Sequence, residues 1–304
     1  MNKFQVHILG CGSALPTLHH QPSSQVVSLR GKHFMIDCGE GTQLQLRHAH
    51  LKIGALNHIF LSHLHGDHCF GLIGLISTLS LLQRTTDLHL YSPPGLAEFL
   101  NPQLDFFCKM RTFEIVFHEL SVEQCEVIFA DRSVSVTSIP LSHRLPCCGF
   151  LFRESQSLPH IRPDMIDCLN IPRYAINSIK EGAGWTTPDG KYYPHEQLVT
   201  PAAPAKSYAY LSDTKYCPQN VDFVKGVDLL FHESTFIEID KSRAILTHHS
   251  TAKQAAEFAK AAEVSRLLLG HYSSRYSDDT LFLNEAKAIF PNTFLANEGM
   301  TFDV

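Results

Sequence analysis

The run Ile59-Phe60-Leu61-Ser62-His63-Leu64-His65-Gly66-Asp67-His68 places four side chains of metal-binding type within six residues. Its apolar start reads as the end of a buried strand. In an extended chain alternate side chains point to one side, so His63 and His65 face a common point. Gly66 permits a sharp turn. Asp67 and His68 follow at the start of an apolar helix and aim at a neighbouring point. Imidazole and carboxylate form a ligand set for zinc or a similar ion, and this spacing suits two adjacent ions better than one. A single histidine here would read as a structural residue. Four ligand-type side chains between a strand and a helix are harder to explain that way.

The elements that must position these groups are apolar runs. Strands are expected over 4–9, 25–29, 33–36, 87–91, 113–120, 125–130, 133–140, 207–211, 227–232 and 266–270. His63, His143, Asp213, Glu233 and His271 each follow such a strand. Layered α/β folds collect functional residues at one end of their strands. Asp37 closes the strand over 33–36, where it could ligate a metal or brace the ligand loop as an acceptor; bracing is favoured. A helix over 69–82, apolar nearly all round, reads as buried between layers. An alanine-rich helix spans 251–262, with Ser250 or Thr251 able to cap it. A last helix covers 281–289.

Between 153 and 207 the pattern fails, broken by Pro159, Pro163, Pro172, Pro188, Pro194, Pro201 and Pro204. Only short helices over 166–171 and 174–179 stand out. An irregular stretch of this length inside a compact domain reads as functional or mobile. It carries six Lys or Arg and six Asp or Glu, so it is neutral, and its aromatics are Tyr174, Trp185, Tyr192 and Tyr193.

Bulk properties narrow the class. The chain has 304 residues, 44% apolar and 18% charged, enough for a large core. The net charge of −5 excludes a globally basic surface, so any nucleic acid must be held by local charge, shape and metal. No apolar run reaches the roughly 18 residues of a membrane span, and the first residues read as a strand rather than a signal peptide. The nine cysteines show no CxxC pair, and Cys147 and Cys148 are adjacent; they read as reduced thiols of a cytoplasmic protein. His19, His20, His48, His50, His58 and His89 have no companion ligands in sequence and read as surface or structural residues.

The chain resembles the metallo-β-lactamase superfamily and, within it, the ribonuclease Z family. The resemblance rests on Asp37-Cys38-Gly39-Glu40-Gly41-Thr42-Gln43, His63-Leu64-His65-Gly66-Asp67-His68, Ser212-Asp213-Thr214, His232-Glu233-Ser234-Thr235-Phe236, His249-Ser250-Thr251-Ala252 and His271-Tyr272-Ser273-Ser274-Arg275-Tyr276. The first histidine motif marks only the superfamily. The last two stretches and the inserted segment point to the family. The resemblance implies an α/β chain built as a four-layer αβ/βα sandwich over residues 1–304, with a flexible substrate-binding arm inserted at 153–207. It implies two zinc ions per chain, one held by His63, His65 and His143, the other by Asp67, His68 and His271, with Asp213 between them. Asp67 would also orient the attacking water, and His249 paired with Glu233 would deliver a proton. His248 is the adjacent alternative to His249. The implied partners are precursor transfer RNA and a second copy of the chain, whose arm serves the other subunit's site. The implied products are a 3′-hydroxyl on the tRNA and a 5′-phosphate on the trailer. The arm departs from the family's usual Gly/Pro-rich, lysine-containing segment; it reads Asn170-Ile171-Pro172-Arg173-Tyr174, then Gly182-Ala183-Gly184-Trp185.

Two other functions fit parts of the pattern. A hydrolase of small anionic esters would use the same ligands but has no need of the arm. A non-catalytic metal-binding module would be expected to lack a ligand, and none is missing.

Overall fold

Two seven-stranded sheets carry the residues singled out above. The computed structural model describes residues 3–304. The first sheet runs, in spatial order, Thr301–Asp303, Gln5–Gly10, Ser24–Leu29, Lys32–Ile36, Leu56–Phe60, Leu88–Ser92 and Ile115–Glu119. Its last four strands are mutually parallel. The second sheet runs Thr293–Leu295, Leu267–Gly270, Leu229–Glu233, Ser207–Leu211, Cys148–Glu154, Val134–Pro140 and Glu126–Ala130, and its first four strands are parallel.

Alternation assigns each strand to two layers. Ile8, Phe60 and Tyr91 point into the core between the sheets, whereas Leu9, Ile59 and Leu90 point into a second core. That second core is closed by the helices Thr42–His48, Leu72–Leu81 and Leu96–Phe107. The helices Ala252–Ala261 and Thr280–Lys287 add Phe258 and Phe282 to the inter-sheet cluster. This is the expected four-layer sandwich. Its strands are buried on both faces because helices cover them.

Several boundaries differ from expectation. The helix expected over 69–82 is two pieces, Gly66–Cys69 and Leu72–Leu81. The break falls at Gly71, whose amide donates to the Cys38 carbonyl at 2.8 Å. A Cβ there would sit 2.1 Å from the Gly39 carbonyl oxygen, so only glycine allows this approach. The second piece is not buried all round, since Leu81 is 80% exposed. The strand Cys148–Glu154 and the helix Lys241–Thr247 were not expected at all. The first shows no polar alternation because its first five residues are buried.

Residues 154–205 form a compact unit by themselves. The short helix expected over 174–179 is present as Arg173–Lys180, and the one expected over 166–171 lies earlier, at Pro163–Cys168. The segment holds helices Pro163–Cys168 and Arg173–Lys180 and a small core of Leu169, Ile171, Ala175, Ile179, Leu198 and Val199. Its antiparallel pairs are only two residues long, His160–Ile161 with Val199–Thr200 and Trp185–Thr186 with Tyr192–Tyr193. Elements this short leave little periodicity to read.

Candidate metal centre

The parallel strands end together, and their last residues set the site. Asp37 follows Lys32–Ile36 and lies fully buried beside Ser62, which follows the neighbouring strand. Its carboxylate accepts from the Ser62 amide at 2.8 Å, the Tyr210 hydroxyl at 2.7 Å and His68 Nδ1 at 2.8 Å. Asp37 therefore braces His68 from behind.

The other rings are fixed in the same manner. His63 Nδ1 donates to Ser62 Oγ at 3.0 Å, His143 Nδ1 to the His248 carbonyl at 3.2 Å, and His271 Nδ1 to Thr235 Oγ1 at 2.8 Å. In all four rings Nδ1 is occupied, which turns a bare Nε2 inward. His65 presents Nδ1 instead, 2.8 Å from His63 Nε2 and 3.2 Å from His143 Nε2.

Asp213 lies between two groups of ligands. Its Oδ1 is 3.8 Å from both His63 Nε2 and His143 Nε2. Its Oδ2 is 3.1 Å from His68 Nε2 and 3.2 Å from His271 Nε2. Those last two nitrogens are buried and have no hydrogen-bond partner. Asp67 Oδ2 is 3.5 Å from His68 Nε2 and accepts from the Ala14 amide at 2.8 Å. Thus His63, His65, His143 and Asp213 converge as one set and Asp67, His68 and His271 as another. Orphaned ring nitrogens facing buried carboxylates fit divalent cations. Asp37, Asp213 and His271 also hold left-handed backbone, at φ of 57°, 60° and 62°, a strain that persists where the surroundings enforce it.

Electrostatics prepare four of the five rings for a metal and set His68 apart. Burial drives His63, His65, His143 and His271 toward the neutral imidazole that a metal needs. Burial acts the same way on His68, but the carboxylates of Asp213, Asp37 and Asp67 outweigh it and favour the cation.

Beside the metal groups, His249 Nδ1 lies 3.0 Å from Glu233 Oε1. Burial disfavours its charge, but Glu233 overcomes this by attraction and hydrogen bonding and lifts the His249 pKa to about 9. His249 also has a ring nitrogen within 4.8 Å of ligand atoms of Asp213 and His271. The neighbouring His248 caps the helix Lys241–Thr247 in left-handed conformation and offers its carbonyl to His143. Thr251 caps the helix Ala252–Ala261 with a complete capping box.

Known proteins resemble this chain along its whole length. A family model described as "Anti-Pycsar protein Apyc1" matches residues 4–159, and one described as "Beta-lactamase superfamily domain" matches residues 198–272. A curated ribonuclease Z of Bacteroides thetaiotaomicron is 57% identical over 304 residues, covering 100% of this chain and 96% of its own. The chain belongs to the ribonuclease Z family. Human tRNase Z, short form, superposes with a TM-score of 0.71 at 26% identity, covering 99% of each chain. The metallo-β-lactamase-fold protein YhfI of Bacillus subtilis shares the fold, with a TM-score of 0.69 at 17% identity over 100% of both chains.

All the residues expected at the site from sequence meet in one region of the larger unit. Reading the sequence missed three others. Ala14 holds Asp67 through its amide, a backbone role that no side chain announces. Phe70 and Arg144 line the cleft of about 380 Å³ over the ligands. Their only sequence signal is nearness, Phe70 two residues after His68 and Arg144 next to His143. Outside the site, His20 is structural as expected, held by residues from the far end of the chain, Asp279 Oδ2 at 3.0 Å and Glu298 Oε2 at 3.1 Å.

Proposed function

We propose that the protein is a zinc-dependent endoribonuclease that hydrolyses one phosphodiester to remove the 3′ trailer of precursor tRNA. The observation that carries this reading is the pair of ligand groups sharing Asp213, with His249 and Glu233 beside them. In this reading His63, His65 and His143 would hold one ion and Asp67, His68 and His271 the other, with Asp213 facing both groups. Such ions would supply a water of lowered pKa and neutralise charge on a phosphate. Asp67, fixed by the Ala14 amide, orients the attacking water. That water's oxygen bonds to phosphorus while the bond to the ribose 3′ oxygen breaks. Protonated His249, held by Glu233, gives its proton to that oxygen. The tRNA leaves with a 3′-hydroxyl and the trailer keeps the 5′-phosphate.

The inserted unit is assigned to binding the tRNA. Its exposed Tyr174 and Tyr192 and its balanced charge support contacts by shape and stacking rather than by net charge. We read the assembly as a homodimer. In support, Leu81, Leu82, Phe106, Phe107 and Met110 are all exposed near the ends of two helices that pack together, and clustered apolar exposure marks interaction surfaces.

The test is a substrate panel. The zinc-loaded protein should favour precursor tRNA over small phosphodiesters by several orders of magnitude in kcat/KM. Equal use of both would favour a hydrolase of small anionic esters.

A further inference from the structure

Among the residues lining the cleft over the ligand groups, Phe70 and Arg144 carry large side chains with no part in holding a metal or moving a proton. Phe70 follows the short helix Gly66–Cys69 and is 60% exposed, unusual for so large an apolar side chain at a site otherwise made of buried polar groups. It is not a loose ring. A Cβ on Gly66 would lie 2.3 Å from its Cε2, so the ring rests directly on the glycine backbone. One face of the ring is thereby supported by the ligand loop itself. Arg144 reaches the same cleft from the loop after Val134–Pro140. It is exposed and has no hydrogen bond or ion pair among the described residues. Its charge is close enough to be felt by His249.

An aromatic face and an unpaired guanidinium beside a phosphodiester centre have a common chemistry. Bases of single-stranded RNA stack on aromatic rings, and backbone phosphates bind guanidinium groups. We propose that Phe70 stacks on the unpaired base flanking the scissile phosphate and that Arg144 binds a neighbouring backbone phosphate oxygen. The two residues would then fix the register of the strand over the metals. They position substrate and take no part in bond making. The proposal rests on RNA being the substrate and adds which chain residues hold the nucleotide at the cut.

The experiment is a cycle between protein and substrate. Precursor tRNAs carrying one abasic nucleotide at each position flanking the cleavage site are cut by zinc-loaded wild-type protein and by Phe70→Ala. On the natural substrate Phe70→Ala should lower kcat/KM by roughly 5- to 150-fold, the range of one lost base–aromatic stack. At one abasic position the substitution should cause no further loss. Phe70→Tyr should stay within about threefold of wild type, since one aromatic face replaces another. Arg144→Gln should reduce the slope of log affinity against log salt by about one phosphate contact. Zinc content should be unchanged in every variant. Losses that multiply at every abasic position, Phe70→Tyr as poor as Phe70→Ala, or zinc lost from Phe70→Ala would overturn the stacking role. An unchanged salt slope would overturn the phosphate contact. Wild-type protein that fails to cut precursor tRNA would remove the ribonuclease reading itself, whereas normal cutting without coupling removes only this inference.

Discussion

His249 Nδ1 lies 3.0 Å from Glu233 Oε1, and the carboxylate that holds the ring is itself fixed by the amides of Thr214, Thr235 and Ser250. A histidine held in this way keeps its proton above neutral pH. A ribose 3′ oxygen is a poor leaving group and needs that proton, whereas a nitrophenolate does not. His249→Ala should cost roughly 10²–10⁴-fold in RNA cleavage. It should cost far less with a nitrophenyl phosphodiester, with metal content unchanged. Glu233→Gln should move the alkaline limb of the pH–rate profile to lower pH, because the charge that raises the His249 pKa is gone. If His249→Ala loses zinc, the residue is a ligand and its proximity to Asp213 and His271 has the other meaning.

His248 should be the milder site. Its carbonyl, not its ring, orients His143. His248→Ala should keep near-normal activity on both substrates, because the backbone carbonyl is retained.

The shared carboxylate predicts the metal count. Elemental analysis should give close to two ions per chain. Asp213→Ala should lose more metal and more activity than His65→Ala, since Asp213 faces both groups. Full activity at a fixed content of one ion would contradict the paired centre.

The inserted unit predicts a separation of binding from chemistry. Replacing residues 155–203 by a short Gly/Ser linker should leave hydrolysis of a small phosphodiester intact, because every ligand lies outside the unit. Cleavage of precursor tRNA should fall, mainly through weaker binding. The salt dependence contributed by the unit should be shallow, given six charges of each sign. Equal loss of both activities would make the unit a folding element.

Sequence and structure agree most where an apolar run ends at a residue of the site. His63, Asp213, Glu233 and His271 could be read because a buried strand is an obvious run and the residue after it is polar. The bracing role of Asp37 was legible for the same reason. Cys148–Glu154 was not, because burial on both faces removes the alternation that marks a strand. The small core of the inserted unit was hidden by prolines and by elements of two to eight residues. Phe70 was hidden because a phenylalanine in a helical run reads as core, and only its exposure shows otherwise.

His20 supplies a pH test of stability. Its hydrogen bonds to Asp279 and Glu298 raise its pKa to about 9. The unfolded value is about 6.5. A folded-state pKa above the unfolded one gives stabilisation that is complete below about pH 6.5 and lost as pH rises through about 9. The melting temperature of wild type should therefore exceed that of His20→Gln at pH 6, and the gap should close by about pH 10. A gap that is constant with pH would show that His20 acts by packing alone.

The central claim is hydrolysis at one phosphodiester, with water attacking and the tRNA 3′ oxygen leaving. It is tested most directly by mapping the ends of both products after zinc-loaded protein cuts a precursor tRNA. The account predicts a tRNA ending in a free 3′-hydroxyl and a trailer beginning with a 5′-phosphate, cut at a single position. A tRNA ending in a 2′,3′-cyclic or 3′-phosphate, with a 5′-hydroxyl on the trailer, would contradict it, because the 2′-hydroxyl or the other ester bond would then have reacted.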